Sequence, residues 1–291
     1  MTVARPVRVV DAHVHLWDPA NTEWYPYLSR GPGHAGEGGD AARMNRRFDL
    51  DTYRAEAAAW NVERIVNVAA ATGLHSIDET IELDRRADAG SGPDAIIGGL
   101  PPTDTVTEAI GLLDRQMGAS RFRGVRPMGR LDRPVPAVEI LQALVDRRLV
   151  FELMAHPDQL QAAAAALAGV DGLTVVVEHT GWPRSDAGEE RALWLAGLGA
   201  LAGLGDRVHC KLSGLAMPLR STAVEALAPW LEPAIEVFGV DRCFFASNFP
   251  VDAVVGTFDE LYATFDAVTA GLDEADRDKL FAANAERLYR L

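Results

Sequence analysis

Lysine is almost absent from this chain, which uses arginine at nearly every basic position. Of its 28 basic residues only Lys211 and Lys279 are lysines, and 42 acidic residues give the 291-residue chain a formal net charge of −14. That balance argues against a phosphate-backbone partner, because nucleic-acid binding needs clustered basic groups. We therefore expect a small-molecule substrate and no nucleic acid. A hydrophobic fraction of 48 % and a charged fraction of 24 % are ordinary for a globular protein.

Cysteines and long apolar runs are also scarce. Cys210 and Cys243 lie inside apolar segments without metal-ligand spacing, which is typical of small buried core residues in a reducing compartment. No uninterrupted run reaches the roughly 20 apolar residues of a membrane-spanning helix. The first residues also lack the apolar stretch of a signal peptide. The sequence therefore predicts a cytoplasmic protein, monomeric or homodimeric, without a membrane partner.

Short apolar or β-branched runs alternate with longer segments of helical pattern, which predicts βαβ units and a parallel sheet. Eight repeats favour a (β/α)₈ barrel as one domain over residues 1–291. An open doubly wound sheet is the alternative, but no G-x-G-x-x-G or Walker A loop follows a strand. The predicted strands are Val9–Trp17, Arg64–Ala71, Ala95–Leu100, Phe122–Met128, Val150–His156, Thr174–Gly181, Val208–Leu215 and Cys243–Pro250.

Two further segments stand out. The connection after the first strand, from Asp18 to about Asp49, contains aromatic residues and the Gly-rich tract GPGHAGEGG. Connections of this length in a compact domain are usually functional or disordered, so we expect a lid. The chain ends with a predicted helix from about Glu274 to Tyr289, which we expect on the outside of the barrel.

Polar side chains recur where such barrels place their chemistry, at the carboxyl ends of the strands. His13 and His15 are two residues apart on the first strand, so both project from one face, where two imidazoles can chelate one metal ion. A charged side chain in an apolar strand is costly unless it is paired or bound. The later strands add Arg126, Glu152, His179, Lys211, Ser213 and Asn248.

A structural interpretation competes for several of these residues. Glu152 and Arg126 lie on neighbouring strands and can form a simple salt bridge. Glu178 has the opposite parity to His179, so we expect it to point outward and to orient a neighbouring group. The other histidines are assigned supporting positions or no role: His34, His75, His156 and His209.

These motifs resemble the amidohydrolase superfamily, in its lactonase-like branch of metal-dependent barrel hydrolases. That branch includes 2-pyrone-4,6-dicarboxylate lactonase and L-fuconolactonase. The resemblance covers nearly the whole chain and is much more specific for fold and family than for substrate. The matching segments are DAHVHLWDP (11–19), RGVRP (123–127), FELMAHPDQL (151–160), EHTGWP (178–183), CKLSGL (210–215) and RCFFASNFPVD (242–252).

The resemblance implies roles for single residues. His13 and His15 match the family's first-strand pair, which binds a divalent metal in many members and the substrate in metal-free lactonases. His179 matches a metal ligand or a group that polarises the substrate carbonyl. Arg126 matches an arginine that holds a substrate carboxylate, a role that its bidentate fork suits. Lys211 matches the lysine of a K-L-S-G motif and is expected to stabilise a developing oxyanion.

Two departures from the family pattern concern water activation. The eighth strand usually reads G-S-D-W-P, and its Asp takes the proton of the attacking water, whereas Asn248 stands here. An amide is no proton acceptor at neutral pH, so the direct general-base role is lost, although Asn248 can still orient a water or a substrate. The fourth strand often reads G-x-R-H, and Pro127 replaces that His.

The leading hypothesis is a hydrolase that opens a small cyclic ester or lactone. His13, His15 and His179 would hold one divalent ion, with zinc expected first, or polarise the carbonyl directly without a metal. Glu152 is a further candidate ligand or base, and three tryptophans are expected to form the substrate wall. A lyase or isomerase is the alternative, because Asn248 disfavours water attack, and a non-catalytic binding barrel is a third possibility. The expected wall residues are Trp17, Trp24 and Trp182.

Overall fold

Eight parallel strands form one sheet in which neighbours follow chain order. The computed structural model describes residues 6, 8–28, 41–129, 132–185 and 188–291. The sheet closes where the segment after β8 meets β1: Val14 and Phe249 form a parallel bridge. This arrangement confirms the (β/α)₈ barrel. Strands β1 to β8 are Val9–Val14, Val62–Val68, Ala95–Leu100, Phe122–Pro127, Val150–Leu153, Val175–Val177, Val208–Leu212 and Cys243–Phe245.

Several strands end earlier than predicted, and this changes how the site is built. β6 ends at Val177 and β8 at Phe245, so His179 and Asn248 lie in the connections that follow. Both residues have positive φ, 51° and 57°. Such left-handed positions end an extended strand, because side chains other than glycine rarely adopt them. The directions of the His179 and Asn248 side chains are therefore set by turns after the strands, and not by the alternation of side chains along a strand.

Helices connect the strands and pack on the outside of the barrel. Several begin at residues that cap unpaired backbone amides: Thr105 and Glu108 form a capping box on one helix, and Thr257 and Glu260 on another. Among the described residues the α-helical segments α1 to α12 are Ala41–Met44, Leu50–Glu56, His75–Asp88, Val106–Gln116, Val138–Asp146, Leu160–Leu167, Gly188–Ala202, Ala216–Leu219, Val224–Phe238, Phe258–Val268, Glu274–Asp278 and Asn284–Tyr289.

The last helical segments differ from the prediction in where they pack. A π-helical turn, Lys279–Ala283, joins α11 to α12. Ala282, Leu288 and Tyr289 belong to the same buried cluster as the inward-facing strand residues, so this segment covers the amino-terminal end of the barrel and does not lie along its outside. The cluster also contains Ala246, directly after β8, and the strand residues Val10, Ala12, Val66, Val68, Ala95, Ile97, Val150, Val176 and Phe244.

The long connection after β1 is described only at its two ends. Tyr25 holds the first part in place, because its hydroxyl donates to Oε1 of the buried Glu79 at 2.8 Å. The Gly-rich tract at 31–39, and with it the expected lid and His34, lies outside the described residues. Within the part that the structure describes, no helix combines the length and apolarity needed to cross a membrane.

Candidate active site at the barrel mouth

His13 and His15 meet at the carboxyl end of the barrel, which we call the mouth. β1 has one more residue than β2 between the pairs Asp11–Ile65 and Val14–Asn67, a bulge that changes which face the strand presents. The Nε2 atoms of the two histidines lie 3.2 Å apart. Nδ1 of His15 lies 2.7 Å from the carbonyl oxygen of Val68, so this nitrogen carries the proton and the lone pair on Nε2 faces His13.

Both rings are held neutral. Burial lowers the pKa of His13 and of His15 well below the ordinary histidine value, and the nearby Lys211 and Arg126 lower it further. Burial also lowers the pKa of His179 to about 3. Neutral imidazoles can bind a metal, accept a proton or donate to a carbonyl, and these are the roles expected at a hydrolytic centre.

Lys211 and Glu152 form a fully buried ion pair beneath the histidines. Nζ of Lys211 lies 2.8 and 2.6 Å from the two carboxylate oxygens of Glu152. The hydroxyl of Tyr289, from the segment that covers the other end of the barrel, donates to Oε1 of Glu152 at 2.5 Å. The predicted pairing of Glu152 with Arg126 is therefore replaced by a pairing with Lys211. Burial and the neighbouring Glu178 raise the pKa of Glu152, although Lys211 opposes the shift.

Glu178 points into the barrel, and the expectation that it points outward is wrong. Its strand neighbour Val176 also faces the interior, whereas His179 reaches the mouth only because the chain turns after β6. Oε2 of Glu178 lies 3.5 Å from Nη1 of Arg126. Burial opposes ionisation of Glu178, but the Arg126 guanidinium and a hydrogen bond with Glu152 hold its pKa below the ordinary value. The negative charges of Glu152 and Glu178 are thus compensated inside the barrel by the positive charges of Arg126 and Lys211.

His179 is oriented by the end of β7. Its Nδ1 lies 3.1 Å from Oγ of Ser213, and the chain passes so close that a Cβ on Gly214 would lie 2.3 Å from that nitrogen. Gly214 also has φ +64°, so glycine satisfies both requirements there. The bond to Ser213 leaves Nε2 of His179 available for a substrate or a metal.

Arg126 keeps unused hydrogen-bonding capacity at the mouth. Its Nη2 donates to the carbonyl oxygen of Ala69 at 2.6 Å, but its buried Nε has no hydrogen-bond partner among the described residues. A guanidinium has five N–H donors, so several remain for a ligand. This geometry is consistent with the role in carboxylate binding that the resemblance implies.

Asn248 follows β8 and contacts a carboxylate that the motif analysis left without a role. Its Nδ2 donates to Oδ1 of Asp252 at 3.0 Å, and its backbone N–H donates to the carbonyl of His13 at 2.9 Å. Burial raises the pKa of Asp252 to about 7. Where the resemblance implies a water-activating carboxylate, the structure therefore has an amide that is hydrogen-bonded to a carboxylate.

The predicted tryptophan wall is split. The Trp17 ring stacks on His15 with centroids 5.8 Å apart, and Trp182 contacts both His179 and His156, so these two rings flank the histidines. Trp24 instead stacks on His75 at the start of α3. His209, which lies toward the opposite end of β7 from Ser213, is surrounded by the charges of Arg287, Arg242 and Asp206.

The donor set fits a divalent ion only in part. Two Nε2 atoms 3.2 Å apart match the roughly 3.3 Å between two nitrogens on one tetrahedral zinc with bonds of about 2.0–2.1 Å. Ligand atoms of His13, Glu152 and Glu178 also lie within 4.8 Å of one another. Lys211 and Tyr289 already engage the Glu152 oxygens, however, so His13 and His15 are the better fit. Chelation by these two with His179 stays a prediction.

Sequence reasoning missed three groups that the structure places in contact with the site. Glu178 was assigned to the wrong face, although its spacing from Val176 in the run VVVE carried the correct parity. Asp252 follows Asn248 by four residues in NFPVD, a spacing that places both in one turn. Nothing in the sequence near Tyr289 indicates that it reaches Glu152, because the contact joins residues 137 positions apart.

Ionisable side chains gathered toward the carboxyl end of an eight-stranded parallel barrel define a barrel of the enzyme type. The family model described as Amidohydrolase matches residues 10–291, and the chain belongs to that family. An L-fucono-1,5-lactonase of Burkholderia ambifaria is 28 % identical, with 97 % of this chain and 95 % of that protein covered. An uncharacterised protein of Sinorhizobium fredii is 29 % identical, with 98 % and 99 % covered.

Solved structures show the same fold. An amidohydrolase of Burkholderia multivorans, crystallised with zinc bound, has a TM-score of 0.78 and 22 % identity, with 98 % of this chain and 100 % of that chain covered. A probable 2-pyrone-4,6-dicarboxylic acid hydrolase of Acinetobacter baumannii, with citric acid bound, has a TM-score of 0.73 and 15 % identity, with 97 % and 99 % covered.

Proposed function

We propose that this chain hydrolyses the ring ester of a small lactone. The observation that carries the proposal is the meeting of Arg126 and three neutral histidines at the mouth, with Lys211 buried beneath them. Cationic side chains stabilise the negative charge that develops on an ester oxygen during attack. The similarity to an L-fucono-1,5-lactonase along 97 % of the chain supports a lactone as the substrate class.

Each group then has a defined task. Arg126 binds an anionic group of the substrate. Without a metal, Nε2 of His179 carries a proton and donates it to the carbonyl in a hydrogen bond, while Ser213 donates to Nδ1. A neutral histidine polarises a carbonyl without the cost of burying a further charge. Lys211, paired with Glu152, contributes positive potential to the oxyanion, and Trp17 and Trp182 shield the site from bulk solvent.

In the alternative, metal-bound form, a divalent ion, with zinc expected first because of its nitrogen ligands, would bind His13 and His15, with the unprotonated Nε2 of His179 as the third ligand. When bound, such an ion lowers the pKa of a coordinated water and polarises the ester carbonyl. We further propose a cytoplasmic location, which the two buried free thiols Cys210 and Cys243 support.

The test is turnover of a panel of sugar 1,5-lactones and carboxylated lactones in H₂¹⁸O. We expect ring opening with one solvent oxygen in the acid product, and a loss of at least about 100-fold in kcat/KM for His179→Ala, as for other groups that stabilise an oxyanion. Turnover without ¹⁸O incorporation would instead indicate a lyase or isomerase. Binding without turnover, unchanged in His179→Ala, would indicate a non-catalytic binding barrel.

A further inference from the structure

The amide of Asn248 and the carboxylate of Asp252 form a buried pair at the end of β8. Nδ2 of Asn248 donates to Oδ1 of Asp252 at 3.0 Å, and the residues are 2 % and 1 % exposed. An ionised carboxylate only accepts hydrogen bonds. The nitrogen of the amide must therefore face Asp252, and Oδ1 of Asn248 is turned away from it.

The backbone holds this pair against the first strand. The N–H of Asn248 donates to the carbonyl of His13 at 2.9 Å, and the N–H of Asp252 donates to the carbonyl of Asn248 at 3.1 Å. Asn248 is further fixed in a left-handed conformation with φ 57°. These contacts place the backbone of Asn248 beside β1, the strand that carries His13 and leads to His15.

Asp252 also keeps an unused acceptor. Its Oδ2 is buried and has no hydrogen-bond partner among the described residues. A buried orphan of this kind costs stability, so its presence asks for a functional explanation. A carboxylate that must gain a proton during a reaction cycle is one such explanation.

We propose that Asn248 and Asp252 act together as the general base of this chain, with the amide passing a proton from the attacking water to the carboxylate. This inference rests on the proposed hydrolysis. It assigns the water-activating function, which Asn248 alone cannot perform, to the two residues acting in series. Asn248 contacts the water, and Asp252 acts through Asn248.

The relay balances in atoms and electrons. As the water oxygen bonds to the lactone carbonyl carbon, one water O–H bond breaks and its proton passes to Oδ1 of Asn248. At the same time an Nδ2–H bond of Asn248 breaks and that proton passes to Oδ1 of Asp252. The amide becomes its imidic acid tautomer and Asp252 becomes a neutral acid. When the ring C–O bond breaks, the Oδ1 proton passes to the leaving alkoxide and Asp252 returns its proton to Nδ2.

The surroundings of Asp252 suit a proton acceptor near neutral pH. Burial raises its pKa to about 7, although the hydrogen bond from Asn248 and the nearby backbone N–H of Ala216 in α8 lower it. The neighbouring α1 contributes Arg43, whose guanidinium donates to the carbonyl of Val254 instead. A base is most effective when its pKa lies close to the working pH.

The test compares variants that keep shape and change only proton affinity. Asp252→Asn retains an oxygen that accepts from Asn248 but cannot take a proton, so we expect kcat to fall about 100-fold, the lower range for a lost general base. Asn248→Asp supplies a direct carboxylate and should keep kcat within about tenfold of the native value. The double variant Asn248→Asp/Asp252→Asn should recover most of the loss. Asp241→Asn, an exposed aspartate, is the matched control.

A second readout separates a relay from a merely structural contact. For the native enzyme, a plot of rate against deuterium fraction in H₂O–D₂O mixtures should be curved. Such a curve requires that two protons move in the same step. In Asn248→Asp the dependence should become linear. An unchanged kcat in Asp252→Asn, or a linear dependence in the native enzyme, would overturn the relay while leaving lactone hydrolysis in place.

A measurement without substrate distinguishes failure of the relay from failure of the proposed function. The side-chain amide signal of Asn248 in ¹⁵N NMR should shift as Asp252 titrates, and this shift should vanish in Asp252→Asn. If the signal behaves so and no lactone is opened, the proposed hydrolysis fails and the catalytic use of the pair fails with it. If lactones are opened and the signal does not titrate, the relay alone fails.

Discussion

Nζ of Lys211 lies 2.6 Å from Oε2 of Glu152, and neither side chain has any exposed surface. Removing one partner of such a pair leaves an uncompensated charge in the barrel, which typically costs about 3–5 kcal/mol. We therefore expect Lys211→Met to lower the free energy of unfolding by about that amount in urea titrations. Lactone hydrolysis should also be lost in this variant.

The other lysine of the chain provides the control for this prediction. Lys279 pairs with Asp241 and Asp276 on the surface, where water and salt screen such contacts. Lys279→Met should leave both the unfolding transition and activity nearly unchanged. Equal effects of the two substitutions would contradict the view that burial makes the Lys211–Glu152 pair important.

The arrangement around Lys211 shows what the sequence could and could not predict. The alternation of apolar runs with helical segments was sufficient to identify eight strands, because each βαβ unit is a local pattern. The alternation of side chains placed Lys211 and Ser213 on one face of the predicted seventh strand. The partner of Lys211 could not be predicted, because Glu152 and Tyr289 come from distant parts of the chain and meet only in the folded barrel.

Turns at strand ends limited the prediction of the site itself. Strand parity assumes an extended backbone, and His179 and Asn248 both leave that conformation through a positive φ. For this reason Glu178, which follows the regular alternation of β6, was assigned to the wrong face. The position of segment 279–289 could not be predicted for a different reason. An apolar helix face can pack on the outside of a barrel or across one of its ends, and the sequence pattern is the same in both cases.

Arg126 should determine preference for anionic lactones. A charge-assisted hydrogen bond contributes about 1.5–3 kcal/mol, so Arg126→Gln should lower kcat/KM for a lactone with a carboxylate by roughly 10- to 150-fold. A neutral sugar lactone should be affected much less. The measurement is the ratio of kcat/KM for the two substrate types.

Arg115→Gln is the control for the Arg126 prediction, since Arg115 pairs with Asp78 on the surface. The ratio of kcat/KM for the carboxylated and the neutral lactone should be the same in Arg115→Gln as in the native enzyme. An equal fall for both substrate types in Arg126→Gln would show that Arg126 supports the site through Glu178 and Ala69 rather than by binding the substrate.

His179 should make the protein sensitive to acid. Its pKa in the folded state is about 3, below the value of about 6.5 in an unfolded chain. Below pH 6.5 the unfolded state therefore binds more protons, and stability from this group is lost as the pH falls toward 3. Buried carboxyls with raised pKa, such as Asp252, act in the opposite direction, so a comparison of variants is needed.

The comparison is the change in unfolding free energy between pH 7 and pH 5. Between these pH values His179→Gln should lose about 2 kcal/mol less unfolding free energy than the native protein. This difference corresponds to 1.36 kcal/mol per pH unit below 6.5. His75→Gln, which alters a surface ring, serves as the reference variant. If both variants lost stability as the native protein does, His179 would not be held neutral by the fold.

Zinc should bind between His13 and His15 and stabilise the fold. The facing Nε2 atoms are 3.2 Å apart, and Nδ1 of His15 is already committed to Val68, so the Nε2 lone pair of His15 is directed at His13. A ligand that binds only the folded state raises stability with its concentration. Zinc added to chelator-treated protein should therefore raise Tm progressively until the site saturates at one ion per chain.

His15→Asn, whose amide can still donate to Val68, should lose this shift in Tm. A shift that persists in the variant would place the ion elsewhere, for example at the exposed His75–Asp78 pair.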